Sequence, residues 1–163
     1  MKKSSSIRER IFNIEEIDRE VRRLRLKSKT IAFTNGVFDI LHEGHIALLS
    51  KAATFADALI VGINSDASVK KLKGESRPIN NENSRALIMA SLIMVDAVVM
   101  FNEETPIGLI KIIKPDVLIK GGDYTIETIV GAEEVIADGG KVEIIPLETG
   151  FSTTGIINKI SGN

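Results

Sequence analysis

The sequence predicts an α/β fold: a Rossmann-like, doubly wound, five-stranded parallel sheet with helices on both faces. Three observations lead there. Short apolar runs alternate five times with helical patterns, and such alternation means parallel strands joined by crossover helices. The run Ala58-Leu59-Ile60-Val61-Gly62-Ile63 is apolar throughout, as in a strand covered on both faces. The 163 residues, 44% hydrophobic and 26% charged, suit one domain that builds its own core.

Each element has a local reason. Residues 1–10 are basic and serine-containing with no apolar run behind them, so they are not a secretory signal. Across residues 13–27, Ile14, Ile17, Val21 and Leu24 share one helical face, predicting an amphipathic helix capped by Asn13. Residues 30–34 are the first strand, ended by Asn35-Gly36. A helix over 46–56 leads to the second strand, 58–63. Asn64-Ser65-Asp66 turns into a short helix that runs to about Leu72, and residues 73–80, with Gly, Ser, Pro and Asn, are a loop.

A helix over 83–95 precedes the third strand, 97–101. Pro106 suits the first turn of a helix over 105–113. The fourth strand is 116–120, stopped by Gly121-Gly122. A helix over 131–138, stopped by Gly139-Gly140, a strand over 141–146 and a helix over 152–160 complete the chain. Residues 1–163 read as a single domain, with 1–28 as an amino-terminal helical extension.

Composition removes whole classes of function. There is no cysteine, so disulfides, thiolate metal sites and a cysteine nucleophile are excluded, and a cytoplasmic location fits. Two histidines cannot make a multi-histidine metal cage, and no protein metal site is expected. A net charge of −1 without tryptophan argues against a nucleic-acid or membrane partner. The longest apolar stretch, 86–95, is cut by Asp96, whereas a membrane span needs roughly 20 residues.

Ligands of open parallel sheets bind beyond the carboxyl ends of the strands. After the first strand stands Asn35-Gly36-Val37-Phe38-Asp39, followed by His42-Glu43-Gly44-His45. A helix starting near Gly44 would put both histidines at its first turn, where backbone N–H groups and the helix dipole attract an anion. One core and one surface histidine is the plain alternative, and the glycine-bracketed spacing outweighs it. After the second strand, Lys70, Lys71, Lys73 and Arg77 form either a phosphate grip or a solvated basic face. Arg85 on the next helix is ambiguous alone. Lys120-Gly121-Gly122-Asp123-Tyr124 is a plain turn or a close approach to a ligand. Ser152-Thr153-Thr154 opens the last helix with three hydroxyls: one is a cap, but three together suit phosphate oxygens. The P-loop, the GxGxxG fingerprint and the GxSxG elbow are absent.

The stretch from Gly36 to His45 resembles the HxGH signature of the nucleotidylyltransferase superfamily, and Ser152-Thr153-Thr154 is similar to its second, hydroxyl-rich signature. Asn64 to Gly74, Arg77-Pro78-Ile79-Asn80 and Lys120 to Tyr124 resemble the adenylyltransferase domain of the bacterial heptose-phosphate enzymes. The resemblance implies transfer of AMP from ATP, with Mg2+, to D-glycero-β-D-manno-heptose 1-phosphate, giving ADP-heptose for lipopolysaccharide core and pyrophosphate. It implies catalytic roles for His42, His45 and Lys71. It implies nucleotide contacts from Asn35, Gly36, Val37, Phe38, Gly44, Lys70, Lys73, Arg85, Gly121, Asp123, Ser152, Thr153 and Thr154. Asp39 is either an orienter of these groups or part of a turn.

The chain is short for a fused kinase, so a separate sugar kinase is the expected pathway partner, and the resemblance implies a homodimer. Cytidylyltransferases usually carry a cation shortly before the second signature, and Leu147-Glu148-Thr149 has none. The alternatives are a cytidylyltransferase acting on glycerol 3-phosphate or another small phosphate, and a nucleotide-binding module without turnover.

Overall fold

The structure is a computed structural model that describes residues 5–146, 150 and 152–162. Its strands are β1 (Ile11–Phe12), β2 (Ile31–Gly36), β3 (Ala58–Asn64), β4 (Ala97–Phe101), β5 (Val117–Gly121) and β6 (Lys141–Ile145). The helices are α1 (Ser5–Arg8), α2 (Ile14–Leu26), α3 (Glu43–Ala52), α4 (Asp66–Lys73), α5 (Glu82–Ala90), α6 (Ile107–Ile113), α7 (Ala132–Ala137) and α8 (Thr153–Ser161), with a 3-10 turn at Ile126–Thr128. The strands form one sheet in the order β1-β4-β3-β2-β5-β6, and every pairing is parallel.

Strand periodicity divides the core in two. Ile31 and Phe33 of β2 enter one cluster, with Ile17 and Val21 of α2 and the inner faces of α6 and α7. Ala32 between them enters the other, with Leu48 and Leu49 of α3 and Ala86 and Met89 of α5. Successive side chains of a strand point to opposite faces, so a sheet with helices on both sides must alternate in this way.

All five expected strands are present, and β1 is a sixth. It escapes a pattern search because two residues have no period. It exists because Ile11 and Phe12 pair with Val98 and Val99 at the edge of β4. Residues 11–26 are thus built into the sheet and its covering layer. Asn13 caps α2 as expected, in a box with Glu16 in which each side chain accepts from the other's backbone N–H at 2.9 Å.

Helices α3 and α5 have boundaries that move by three residues or more, and α6 starts at Ile107 with Pro106 as its N-cap rather than in its first turn. α3 starts at Glu43, three residues earlier than the apolar pattern suggests, so the first turn includes Gly44 and His45. α5 ends at Ala90, short of the expected 95. The Ser91 hydroxyl donates back to the Leu87 carbonyl, and the chain then turns so that Asp96 N–H reaches the Leu59 carbonyl and sets β4 beside β3.

The sheet is laid down from β2 through β3 to β4 on one side, then from β5 to β6 on the other. The reversal leaves a crevice above the carboxyl ends of β2 and β5.

Candidate active site

The turn from β2 into α3 is shaped by its own side chains. A Cβ at Gly36 would stand 3.0 Å from the Phe38 ring and would push that ring by a few tenths of an ångström, so glycine leaves it room to fold back. Phe38 is buried and has φ 47°, a left-handed backbone that costs a bulky residue about 1–3 kcal/mol. His42 caps α3 through its backbone, its carbonyl accepting from His45 N–H at 3.0 Å. The His42 and His45 rings stack with centroids 3.8 Å apart, and Phe38 meets His45 edge-on at 5.3 Å.

This packing sets the charge of the histidines. Burial lowers the His42 pKa, and burial together with neighbouring His42 lowers that of His45 to about 4. Both imidazoles are therefore neutral at pH 7. His45 Nδ1 is buried and makes no hydrogen bond among the described residues.

A second layer holds the turn. The Asp39 carboxylate accepts from the N–H groups of Ile79 at 2.9 Å and Asn80 at 2.8 Å, and from Arg77 Nε at 2.8 Å. Burial opposes its ionisation, yet these three donors together hold the Asp39 carboxyl below the usual range. Asp39 thus ties loop 77–80 to the turn. Arg85, 1% exposed, ties three segments together. It donates to the Val37 carbonyl at 2.8 Å, to the Asn80 carbonyl at 3.0 Å and to Asp66 Oδ1 at 2.7 Å.

Two clefts open over this frame. The first, of ≈ 330 Å³, brings together Val37, Phe38, His42, Gly44, His45, Lys73, Ser152, Thr153 and Thr154, with Asp39 and Arg77 behind them. The Ser152 hydroxyl accepts from Gly155 N–H at 2.9 Å and caps α8, leaving its own proton to donate. Thr153 Oγ1 approaches the Ile40 carbonyl at 3.4 Å, bringing α8 to the β2–α3 turn. The second cleft, of ≈ 510 Å³, is lined by Asn35, Gly36, Asn64, Lys120, Gly121 and Tyr124 among others. Val37, Phe38, His45 and Lys73 line both clefts, so His45 and Lys73 stand at their junction.

Four expected contacts are not at either cleft. Arg85 is sealed inside and held by protein acceptors. Lys70 pairs with Glu75 at 3.7 Å. Lys71 is exposed and lines neither cleft, because on α4 it is two positions away from Lys73. Asp123 is exposed beyond Gly122 and lines neither. The stretch Leu147-Glu148-Thr149 lies outside the described residues. Arg77, expected with the three lysines as a phosphate grip or a solvated basic face, lines the first cleft but is paired with Asp39 at 2.8 Å. The sequence assigns Lys120 no role of its own, and its one signal is its position beside the glycines at the end of β5.

Fold and site together define an α/β domain of the Rossmann-like class, with its cleft at the point where strand order reverses. The chain belongs to the cytidylyltransferase-like family, whose model matches residues 33–161. It is similar to the bifunctional protein HldE of Rhodospirillum rubrum, at 48% identity over 94% of this chain and 31% of that protein. With the protein of the same name from Campylobacter jejuni subsp. doylei it shares 57% identity over 84% of this chain and 29% of that one. The chain thus spans less than a third of the length of these relatives. Among solved structures, it is similar to the lipopolysaccharide core biosynthesis protein from Thermoplasma volcanium GSS1, with TM-score 0.59, 30% identity, and coverage of 74% of this chain and 97% of that one. A pantoate-beta-alanine ligase from Francisella tularensis, complexed with beta-gamma ATP and beta-alanine, matches with TM-score 0.62 over 94% of this chain and 78% of its own. At 21% identity it shares the fold.

Proposed function

We propose that this chain is an adenylyltransferase that transfers AMP from ATP to D-glycero-β-D-manno-heptose 1-phosphate, giving ADP-heptose for lipopolysaccharide core and pyrophosphate. The observation that carries the reading is the convergence of His42, His45, Lys73 and the hydroxyls of Ser152, Thr153 and Thr154 on one cleft. The identity with the HldE proteins and the likeness to the lipopolysaccharide core biosynthesis protein support the substrate class.

An oxygen of the sugar phosphate attacks the α-phosphorus of ATP in line. A new P–O bond forms, the bond from the α-phosphorus to the bridging oxygen breaks, and its electron pair leaves with pyrophosphate. The attacking phosphate is already ionised near neutral pH, so the reaction needs no protein nucleophile or general base. Catalysis is positioning and charge stabilisation. The hydroxyls and N–H groups at the start of α8 hold the β- and γ-phosphates. Neutral His42 and His45 donate to the phosphoryl oxygens as charge builds. Lys73, rather than Lys71, supplies the cation at the junction of the clefts.

Asp39, the carboxylate that lines the first cleft, is already occupied by three donors and is not offered to a metal. Magnesium would therefore ride on the nucleotide phosphates and water, where it neutralises charge.

Among the described residues no helix is long and apolar enough to cross a membrane. We assign the reaction to the cytoplasm, with a phosphoryl transfer to a heptose supplying its substrate. We also expect a homodimer: Ile88 and Ile93, 41% and 84% exposed, leave an apolar face that sedimentation at micromolar concentration would find paired. Mass spectrometry of the products from ATP and the heptose phosphate tests the function. ADP-heptose supports it, and unchanged substrates refute it.

A further inference from the structure

We propose that Lys120 is the binding residue for the phosphate of the acceptor, and that the cleft over β2 and β5 is therefore the acceptor side of the site. This deepens the function proposed above and rests on it for the identity of the sugar.

Lys120 is the penultimate residue of β5 and is half-buried at the switch point of the sheet. Its Nζ donates to Asn35 Oδ1 at 3.2 Å and lies 5.8 Å from the Tyr124 ring centroid. Neither partner carries a counter-charge. The buried cations nearby are treated differently, since Arg77 is paired with Asp39 and Arg85 with Asp66. Among the described residues, no carboxylate makes an ion pair with Lys120. A cation drawn out of water without a counter-charge is costly, and an anionic ligand would remove that cost. Burial lowers the Lys120 pKa, consistent with a charge short of solvation.

Position then selects the anion. The β- and γ-phosphates belong to the first cleft, with the hydroxyls of α8. His45 and Lys73 line both clefts, which puts the α-phosphorus at the junction. In-line attack brings the nucleophile from the side opposite the leaving pyrophosphate, which is the side of Lys120. The other titratable groups lining this cleft are His45, Lys73, Glu104 and Tyr124. Glu104 and Thr105 at its rim offer hydrogen bonds to sugar hydroxyls.

The test is calorimetric binding of D-glycero-β-D-manno-heptose 1-phosphate to full-length protein saturated with α,β-methylene-ATP. Lys120→Met should weaken acceptor binding by about 10- to 100-fold, the loss of one charge-assisted contact, while binding of the ATP analogue stays within about twofold. Lys120→Arg should recover most of it, which a purely structural lysine would not require. Unchanged acceptor affinity in Lys120→Met overturns the proposal, as does an equal loss of analogue binding, which would make Lys120 a nucleotide ligand. If wild-type protein binds glycerol 3-phosphate instead of the heptose phosphate, the substrate reading fails. The Lys120 assignment then stands if Lys120→Met loses glycerol 3-phosphate and falls if it does not.

Discussion

The rings of His42 and His45 stack 3.8 Å apart at 24°, and this contact helps keep His45 neutral in the free protein. A histidine that resists protonation until about pH 4 remains a neutral donor at pH 7. An anionic ligand reverses that balance, because negative charge nearby favours the imidazolium. With only two histidines in the chain, NMR can follow both. His45 should titrate near 4 without nucleotide and at higher pH with it. A midpoint near 6.5 in the free protein would contradict the packing account.

The same shift makes stability depend on pH. Above 6.5, His45 is neutral in both folded and unfolded chains. As pH falls below 6.5, the unfolded chain takes up a proton that the folded protein refuses until about 4, so stability declines across that window. His42, also lowered by burial, acts in the same direction. Urea midpoints at pH 7 and pH 5 should differ less in His45→Phe than in wild type. An equal difference would remove His45 as the cause.

Removing a preorganised donor costs about 3–4 kcal/mol of transition-state stabilisation, roughly 100- to 1000-fold in rate. His42→Ala and His45→Ala should each lose turnover on that scale while retaining a wild-type circular dichroism spectrum. Near-normal turnover in folded His45→Ala would contradict the site.

The lysines separate by position. Lys73 lines both clefts, and Lys71 lines neither. Lys73→Ala should raise KM for ATP by about tenfold or more, and Lys71→Ala should leave it within about twofold. The reverse order would restore the catalytic role first expected of Lys71.

Asp39 and Arg85 should report on the frame. Asp39 is fully buried, and Arg77 is 15% exposed. Asp39→Asn leaves Arg77 and the N–H groups of loop 77–80 poorly matched, and should cost about 3 kcal/mol in urea unfolding. Arg85→Ala strands the Val37 and Asn80 carbonyls and Asp66, and should cost at least as much. Arg85→Lys, if folded, should bind ATP within about threefold of wild type. A selective loss of ATP binding without loss of stability would make Arg85 a phosphate ligand after all.

What could be read in the sequence was whatever has a period or a punctuating residue. The continuous run of β3, the Asn13 cap and the glycine pair 121–122 at the end of β5 each identify their elements locally. β1 could not be read, because a two-residue strand is created by its neighbour. The end of α5 could not be read, because Ser91 and the pairing of β4 decide it. In the site, the short-range grouping of His42, Gly44 and His45 was legible. The fates of the cations were not, since whether Lys71, Lys73 or Arg85 faces a ligand depends on helix rotation and distant acceptors. Asp39 shows the same limit, because its partners lie about forty residues away.

The most direct test of the central claim is pyrophosphate release with magnesium, comparing ATP and CTP, each with D-glycero-β-D-manno-heptose 1-phosphate. The account predicts rapid release with ATP and little with CTP. Release with CTP in preference to ATP, or no release from protein that binds ATP, would contradict it.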